Sequence, residues 1–148
     1  MEHYRRDDLI FDVRDAGPPE GPVVVLLHGF PQRNDSWNAV IDRLTVQGYR
    51  CLAPNQRGYS PAARPSRRRD YRIPELVADV GALIDASGAR RVHLVGHDWG
   101  AAVAWARPWR LAPVRGILAT RSATCFAKGG KGRADSIGPG AAAGAVAP

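Results

Sequence analysis

Asp98 lies in the middle of a short segment with a glycine at each end, Gly96-His97-Asp98-Trp99-Gly100. The segment follows the largely apolar run Val92 to Val95 and precedes a stretch of small residues. This order predicts a strand, a tight turn and a helix, with the carboxylate at the apex as in a nucleophile elbow. A carboxylate held there can attack an electrophilic carbon and form a covalent ester. The alternative, an aspartate that only caps a helix, does not account for both glycines.

A second candidate motif, His28-Gly29-Phe30-Pro31, directly follows the apolar run Val23 to Leu27. In elbow hydrolases a loop after an earlier strand donates one backbone N–H to the oxyanion hole, and the residue after the nucleophile donates the other. We therefore predict the backbone amides of Phe30 and Trp99 as donors that stabilise developing negative charge. We predict that the turns around these donors are supported by His28, Gly29, Pro31, Gly96, His97 and Gly100.

The histidines are placed unusually for an elbow hydrolase, whose catalytic histidine follows the nucleophile along the chain. None of the four histidines follows Asp98. His28 is interpreted as a structural turn residue and not as the missing base. We therefore expect that the chain lacks the general base and that it is inactive in multiple turnover.

A third segment, Asn55 to Ser60, follows another predicted strand and is a weak signal because an ordinary turn also explains it. Its interest is its position between the other two motifs. Four strands are predicted, at Leu9–Val13, Val23–Leu27, Tyr49–Ala53 and Arg91–Val95. Because predicted helices alternate with them, the fold class is α/β with a mostly parallel sheet and flanking helices.

Two amphipathic helices are predicted from the spacing of apolar residues. The first is capped by Asp35 or Ser36 and ends at Gly48, with an apolar face formed by Trp37, Val40, Ile41 and Leu44. The second has Pro74 in its first turn and Gly88 at its end. Its apolar stripe comprises Ile73, Leu76, Val77, Val80, Leu83 and Ile84, while Glu75, Asp79 and Asp85 are expected to face away. Residues 101–106 are small and are predicted to form the start of a third helix.

The chain changes character after residue 106. Residues 1–106 carry 14 arginines against 13 acids, whereas residues 107–148 carry 7 basic residues against one acid. We interpret 1–106 as the folded part and 107–148 as a basic, Gly/Ala-rich, disordered tail, within which Val114–Ala119 can form one more strand. The basic residues are scattered, so no nucleic-acid partner is expected. Two origins of residues 107–148 stay open. They are this protein's own tail, or they are translated from a shifted reading frame.

The N-terminus lacks an apolar signal segment, and no apolar run is long enough to span a membrane. We expect a cytoplasmic protein that binds no membrane, no cofactor and no metal. Cys51 is expected to be a small buried hydrophobe in a reduced compartment.

Together the motifs resemble the N-terminal part of an α/β-hydrolase of the epoxide hydrolase and haloalkane dehalogenase group. The resemblance covers roughly residues 8–106 and includes Trp37 and Arg57-Gly58-Tyr59 besides the two site motifs. Phe30 favours the epoxide hydrolase side, since dehalogenases of the group often have Asn there. Asn55 stands where the family commonly has Asp. The resemblance implies an incomplete α/β-hydrolase fold in which Asp98 opens a small apolar epoxide, or displaces halide, through an alkyl-enzyme ester. It also implies that the acid which supports the catalytic histidine in this family is missing from the chain.

Three other interpretations stay open. One is a haloalkane dehalogenase-like enzyme, and another is a non-catalytic remnant or binding module that uses the same pocket or sheet edge. An esterase is less favoured because Asp replaces Ser at the elbow. The last strand of the predicted sheet has an open edge, so self-association is also expected.

Overall fold

A computed structural model describes residues 1–106 and 114–120 of the 148-residue chain. Its sheet has the strand order β1-β2-β4-β3-β5-β6. The strands are β1 (His3–Arg6), β2 (Leu9–Ala16), β3 (Val23–Leu27), β4 (Arg50–Pro54), β5 (Val92–His97) and β6 (Val114–Thr120). The β1–β2 and β2–β4 pairs are antiparallel, and the other three pairs are parallel. The predicted α/β class with a mostly parallel sheet is confirmed.

Helices cover both faces of the central strands. They are α1 (Asn38–Val46), α2 (Ile73–Ser87) and α3 (Trp99–Ala104). Along β3, Val23, Val25 and Leu27 pack into the core shared with α2 and α3, whereas Val24 and Leu26 pack into a smaller core beside α1. All five residues of β3 are buried. This two-sided burial is why the strand is continuously apolar and does not alternate.

The predicted strands are found, with two differences at the amino-terminal edge. The strand expected to end at Val13 continues to Ala16, and β1 was not predicted. Only Tyr4 of β1 is buried, where its ring stacks on Phe11 at 4.8 Å, so β1 has no apolar run to reveal it. The candidate strand at 114–119 is confirmed as β6. The remaining predictions for the tail lie outside the described residues.

Helix α1 departs from its prediction at its start and on its apolar face. A 3-10 turn, Asn34–Trp37, precedes it, and neither Asp35 nor Ser36 caps it. The Ser36 hydroxyl instead donates to the Arg33 carbonyl inside that turn. The expected core position Val40 is 38% exposed, because α1 meets the sheet mainly along the line of Ile41.

Helix α2 has the predicted apolar stripe, and its end at Gly88 adopts a left-handed φ of 69°. Asp79 was expected to face solvent but is buried, and Glu75 is half-buried. Arg57 binds Asp79 through two hydrogen bonds of 2.7 and 2.6 Å, and Arg6 contributes a third of 2.9 Å. The reason for the error is that these arginines come from distant segments. Asp85 is exposed as predicted.

None of the helices in the described part of the chain has the length and apolar character needed to cross a bilayer.

Candidate active site

Asp98 sits between β5 and α3 with φ 53° and ψ −114°, a conformation that non-glycine residues rarely adopt. Flanking glycines allow this turn to pack tightly. A Cβ on Gly96 would lie 2.5 Å from the Gly100 carbonyl carbon, and a Cβ on Gly100 would lie 2.6 Å from the Leu27 carbonyl carbon. A side chain at Gly96 would push the end of β5 away from the start of α3, and a side chain at Gly100 would push the turn away from β3. The turn therefore stores local strain around one carboxylate.

The structure brings the two sequence motifs together. The Phe30 backbone N–H donates to Asp98 Oδ2 at 3.0 Å, across 68 residues of sequence. Gly29 packs against the same side chain, because a Cβ on Gly29 would lie 2.6 Å from Asp98 Cβ. Pro31 follows Phe30 through a cis peptide bond and is exposed.

Trp99 and His97 flank Asp98 on the chain. Trp99 is the first residue of α3, where backbone amides have no acceptor within the helix. The role of Trp99 as a second donor to an oxyanion stays a prediction. His97 is the last residue of β5, and its Cα pairs with that of Thr120 in β6.

His28 is buried, and both of its ring nitrogens have partners. Its Nε2 accepts the Gln56 backbone N–H at 3.0 Å, so the ring proton lies on Nδ1 and is donated to the Gly29 carbonyl, also at 3.0 Å. Burial lowers the pKa of His28, although the bond to Gly29 opposes that shift. A neutral ring engaged at both nitrogens favours a structural role over a general base.

Residues of the third loop, not proposed as site residues from the sequence, complete this layer. The Gln56 side-chain Nε2 donates to the His28 carbonyl at 2.5 Å, and the Tyr59 ring meets the His28 ring edge-on at 4.6 Å. Burial and the negative charge of Asp98 raise the pKa of Tyr59. The sequence could have indicated these residues only through the predicted topology. Strands β3, β4 and β5 are parallel, so the loops that follow their carboxyl ends meet at one edge of the sheet.

Asn55 stands where the family resemblance predicts Asp. Its Oδ1 accepts the Asn34 backbone N–H at 3.0 Å, which ties the loop after β4 to the segment before α1. The amide oxygen of Asn55 therefore supplies an acceptor that a carboxylate oxygen could also supply.

The two residues predicted as oxyanion donors have exposed aromatic side chains. The Phe30 side chain is 64% exposed and that of Trp99 is 50% exposed. The described residues hold no group of His, Cys, Asp or Glu side chains that could bind a metal ion. The arrangement presents the Asp98 carboxylate with a hydrogen bond from the Phe30 backbone amide to its Oδ2.

Comparison with known proteins places these features in a family context. A sequence model of the alpha/beta hydrolase fold matches residues 22–107. Epoxide hydrolase B of Mycobacterium tuberculosis is 46% identical over 117 residues, which cover 76% of this chain and 33% of that protein. Epoxide hydrolase A of the same organism is 49% identical over 96 residues, covering 65% of this chain and 30% of that protein. The chain thus spans about a third of the length of these curated relatives.

Solved structures give the same result. Epoxide hydrolase A from Mycobacterium thermoresistibile superimposes with a TM-score of 0.74 at 36% identity, covering 79% of this chain and 37% of that one. An epoxide hydrolase from Vigna radiata gives a TM-score of 0.70 at 39% identity, covering 80% and 39% respectively. Identity at this level over matching folds indicates common ancestry for the described part of the chain.

Proposed function

Since the chain belongs to the alpha/beta hydrolase fold family, we propose that Asp98 is the nucleophile of an epoxide hydrolase-type reaction. The observation that carries this assignment is the 3.0 Å hydrogen bond from the Phe30 N–H to Asp98 Oδ2. A helix cap alone would not require a backbone amide from a loop 68 residues away. The names of the similar proteins, which are epoxide hydrolases, supply the substrate class.

The hydrogen bond distinguishes the two carboxylate oxygens. Because Oδ2 is held by Phe30, attack is assigned to Oδ1. An Oδ1 lone pair forms a bond to a ring carbon of the epoxide while the ring C–O bond breaks. The electron pair of that bond stays on the epoxide oxygen, which takes up a proton from solvent water and leaves hydroxide. The product of this step is a hydroxyalkyl ester of Asp98.

Release of the product requires the site to stabilise negative charge on Asp98 itself. Water attacks Asp98 Cγ, negative charge develops on Oδ2, and collapse of the tetrahedral intermediate restores the carboxylate and frees a diol. The Phe30 N–H already lies against Oδ2, where a donor stabilises that charge. The Trp99 amide is the proposed second donor. The exposed Phe30 and Trp99 rings suit a small apolar epoxide.

We further propose that this 148-residue chain stops at the ester. Activation of water needs a general base, which contributes about 10²–10⁴-fold to the rate. No histidine follows Asp98 in the sequence. His28, the buried histidine beside the site, uses Nε2 as an acceptor and Nδ1 as a donor within the fold, so it has no nitrogen to spare for water.

The test is intact-mass spectrometry of the chain after incubation with an apolar epoxide such as styrene oxide. One adduct, mapped to Asp98 and absent in Asp98→Asn, is the expected result. The matched control is Asp42→Asn, which removes an exposed carboxylate from α1 and should leave the adduct unchanged. An adduct on another residue with Asp98 unmodified contradicts the assignment of the nucleophile. Steady-state diol formation that disappears in Asp98→Asn contradicts arrest at the ester.

The same experiment separates the other interpretations. A haloalkane dehalogenase-like site would instead form its adduct with a bromoalkane and release one bromide per chain. Failure of both reagents to modify Asp98, in a chain with a native spectrum, would favour a non-catalytic binding module.

A further inference from the structure

We propose that Gln56 and His28 form a positioning relay that orients and polarises the peptide group donating to Asp98. This inference rests on the proposed function, because it concerns the donor that stabilises charge on Asp98 Oδ2. Neither residue touches the carboxylate through its side chain in this assignment. Both act through the peptide unit that joins Gly29 to Phe30.

That peptide unit is held at both of its polar ends. Its oxygen, the Gly29 carbonyl, accepts a hydrogen bond from His28 Nδ1 at 3.0 Å. Its N–H, which belongs to Phe30, donates to Asp98 Oδ2 at 3.0 Å. A bond to the oxygen of an amide makes its N–H a stronger donor, because hydrogen bonds in a chain polarise one another. The His28 ring therefore strengthens the donor as well as orienting it.

The backbone N–H of Gln56 fixes the tautomer in which His28 can act in this way. The backbone N–H of Gln56 donates to His28 Nε2, which places the ring proton on Nδ1, the nitrogen that faces the Gly29 carbonyl. The other tautomer would set two donors against each other at Nε2 and two acceptors against each other at Nδ1. The Gln56 side chain adds a second hold by donating from Nε2 to the His28 carbonyl.

The remaining atom of the Gln56 amide supports this interpretation. Gln56 is 7% exposed, and its Oε1 is buried without a hydrogen-bond partner among the described residues. A buried acceptor left unpaired costs free energy that an apolar side chain would avoid. We therefore attribute the glutamine at this position to its side-chain N–H group, which donates to the His28 carbonyl.

The closing experiment uses His28→Leu, which keeps a buried side chain of similar size and removes the Nδ1 donor to the Gly29 carbonyl. The control is His3→Leu, which makes the same change at an exposed histidine of β1. Each chain is first converted to the Asp98 ester with styrene oxide. Hydroxylamine is then added; it attacks Asp98 Cγ, leaves a hydroxamate on Asp98 and releases the diol. This nucleophile needs no protein base, so its rate reports stabilisation of charge on Oδ2.

We expect His28→Leu to slow this release about 10-fold, less than loss of a whole oxyanion donor, while His3→Leu leaves it unchanged. In ¹H–¹⁵N spectra the Phe30 amide proton should move upfield in His28→Leu, as its hydrogen bond weakens. A merely structural role would lower the unfolding temperature and move neither readout. That outcome, or equal release rates in the two variants, overturns the relay.

Two further results keep the inference separate from the proposed function. If His28→Leu does not fold, the ¹⁵N spectrum of His28 in the unaltered chain decides the matter. A proton on Nδ1 and none on Nε2 supports the relay, and the reverse tautomer overturns it. If the unaltered chain forms no ester at Asp98, the proposed function fails, and the Phe30 and His28 signals still test the relay.

Discussion

Gly29 leaves the space that the Asp98 side chain occupies. A methyl group there would lie 2.6 Å from Asp98 Cβ and 3.0 Å from Oδ2, so one of the two backbones must move. We predict that Gly29→Ala destabilises the fold by about 1–3 kcal/mol, as overpacking does. It should also abolish most adduct formation at Asp98, because the Phe30 amide moves with the loop. Urea unfolding and intact-mass spectrometry measure the two effects.

Gly81 provides the matched control, since a Cβ there would meet nothing within 4 Å and the residue lies inside α2. Gly81→Ala should stabilise the fold by about 0.5–1 kcal/mol, through helix propensity, and leave the adduct intact. Equal effects of the two substitutions would show that Gly29 has no special relation to Asp98.

His28 makes the stability of the fold depend on pH. Burial holds its pKa below the ordinary value of 6.5. As the pH falls below 6.5, unfolded chains bind a proton at this position before folded chains do, so the free energy of unfolding decreases. The stabilisation is thus complete above 6.5 and is lost as the pH falls toward the pKa of folded His28. The slope reaches at most about 1.4 kcal/mol per pH unit.

Urea unfolding at about pH 7.5 and about pH 5.5 measures this change, and His28→Asn should remove most of it. The lowered carboxylate pKa values of Asp15 and Glu75 act below 4.5 and do not enter this range. His3→Gln, at an exposed histidine of β1, should keep the slope. A slope that survives in His28→Asn would assign it to another group.

At the scale of elements, Asp79 connects three parts of the chain that lie far apart in sequence. Its carboxylate on α2 binds Arg57 of the third loop and Arg6 of β1. Removing one partner of a buried ion pair leaves the other charge without compensation. We therefore predict that Asp79→Ala lowers the free energy of unfolding by about 3–5 kcal/mol.

Asp85→Ala removes a carboxylate from an exposed position of the same helix and should change stability by less than about 0.5 kcal/mol. The comparison is made by urea unfolding of the two variants. A loss below about 1 kcal/mol in Asp79→Ala would mean that water replaces the carboxylate at Arg57 and Arg6.

Elements with a strong periodic signal were predictable from the sequence, whereas contacts between elements were not. The apolar runs and stripes of β3 and α2 depend on burial along one segment, which the local pattern records. The burial of Asp79 depends on Arg57 and Arg6, and no local pattern records a partner in another segment. β1 was missed for the same reason, because pairing with β2 holds it in place.

The candidate site shows the same difference between local sequence patterns and contacts among distant segments. Asp98, Phe30 and Trp99 were named from glycine spacing and chain order, which reflect the geometry of a strand followed by a turn. Gln56 was not predicted as a site residue, because its proposed role depends on two hydrogen bonds to His28, which follows the neighbouring strand β3. Glutamine after a strand carries no sequence signature for such a role.

At the scale of the whole molecule, the sheet ends at β6 within the described residues. β6 pairs with β5 alone in this part of the chain, and its Leu118 side chain is 62% exposed. An apolar strand at an edge is a template for pairing with another chain. We predict that this 148-residue chain self-associates in a concentration-dependent way, measured by sedimentation velocity.

Leu118→Lys should reduce this association, because a charged side chain at an edge strand opposes pairing. Val46→Lys places the same charge at a residue that is 88% exposed on α1, away from the edge, and should have no effect. A monomer at all concentrations, or equal effects of the two lysines, would rule out association through β6.

The Phe30–Asp98 hydrogen bond also has a meaning for folding. It joins the ends of β3 and β5, which pair in parallel from Val23 with Val92 to Leu27 with Gly96. Everything between these strands, including α1, β4 and α2, must be accommodated before the two ends meet. A nascent chain emerging from the ribosome therefore cannot form this hydrogen bond until its fifth strand is docked. The proposed alkylation of Asp98 would then report the time at which the central sheet is complete.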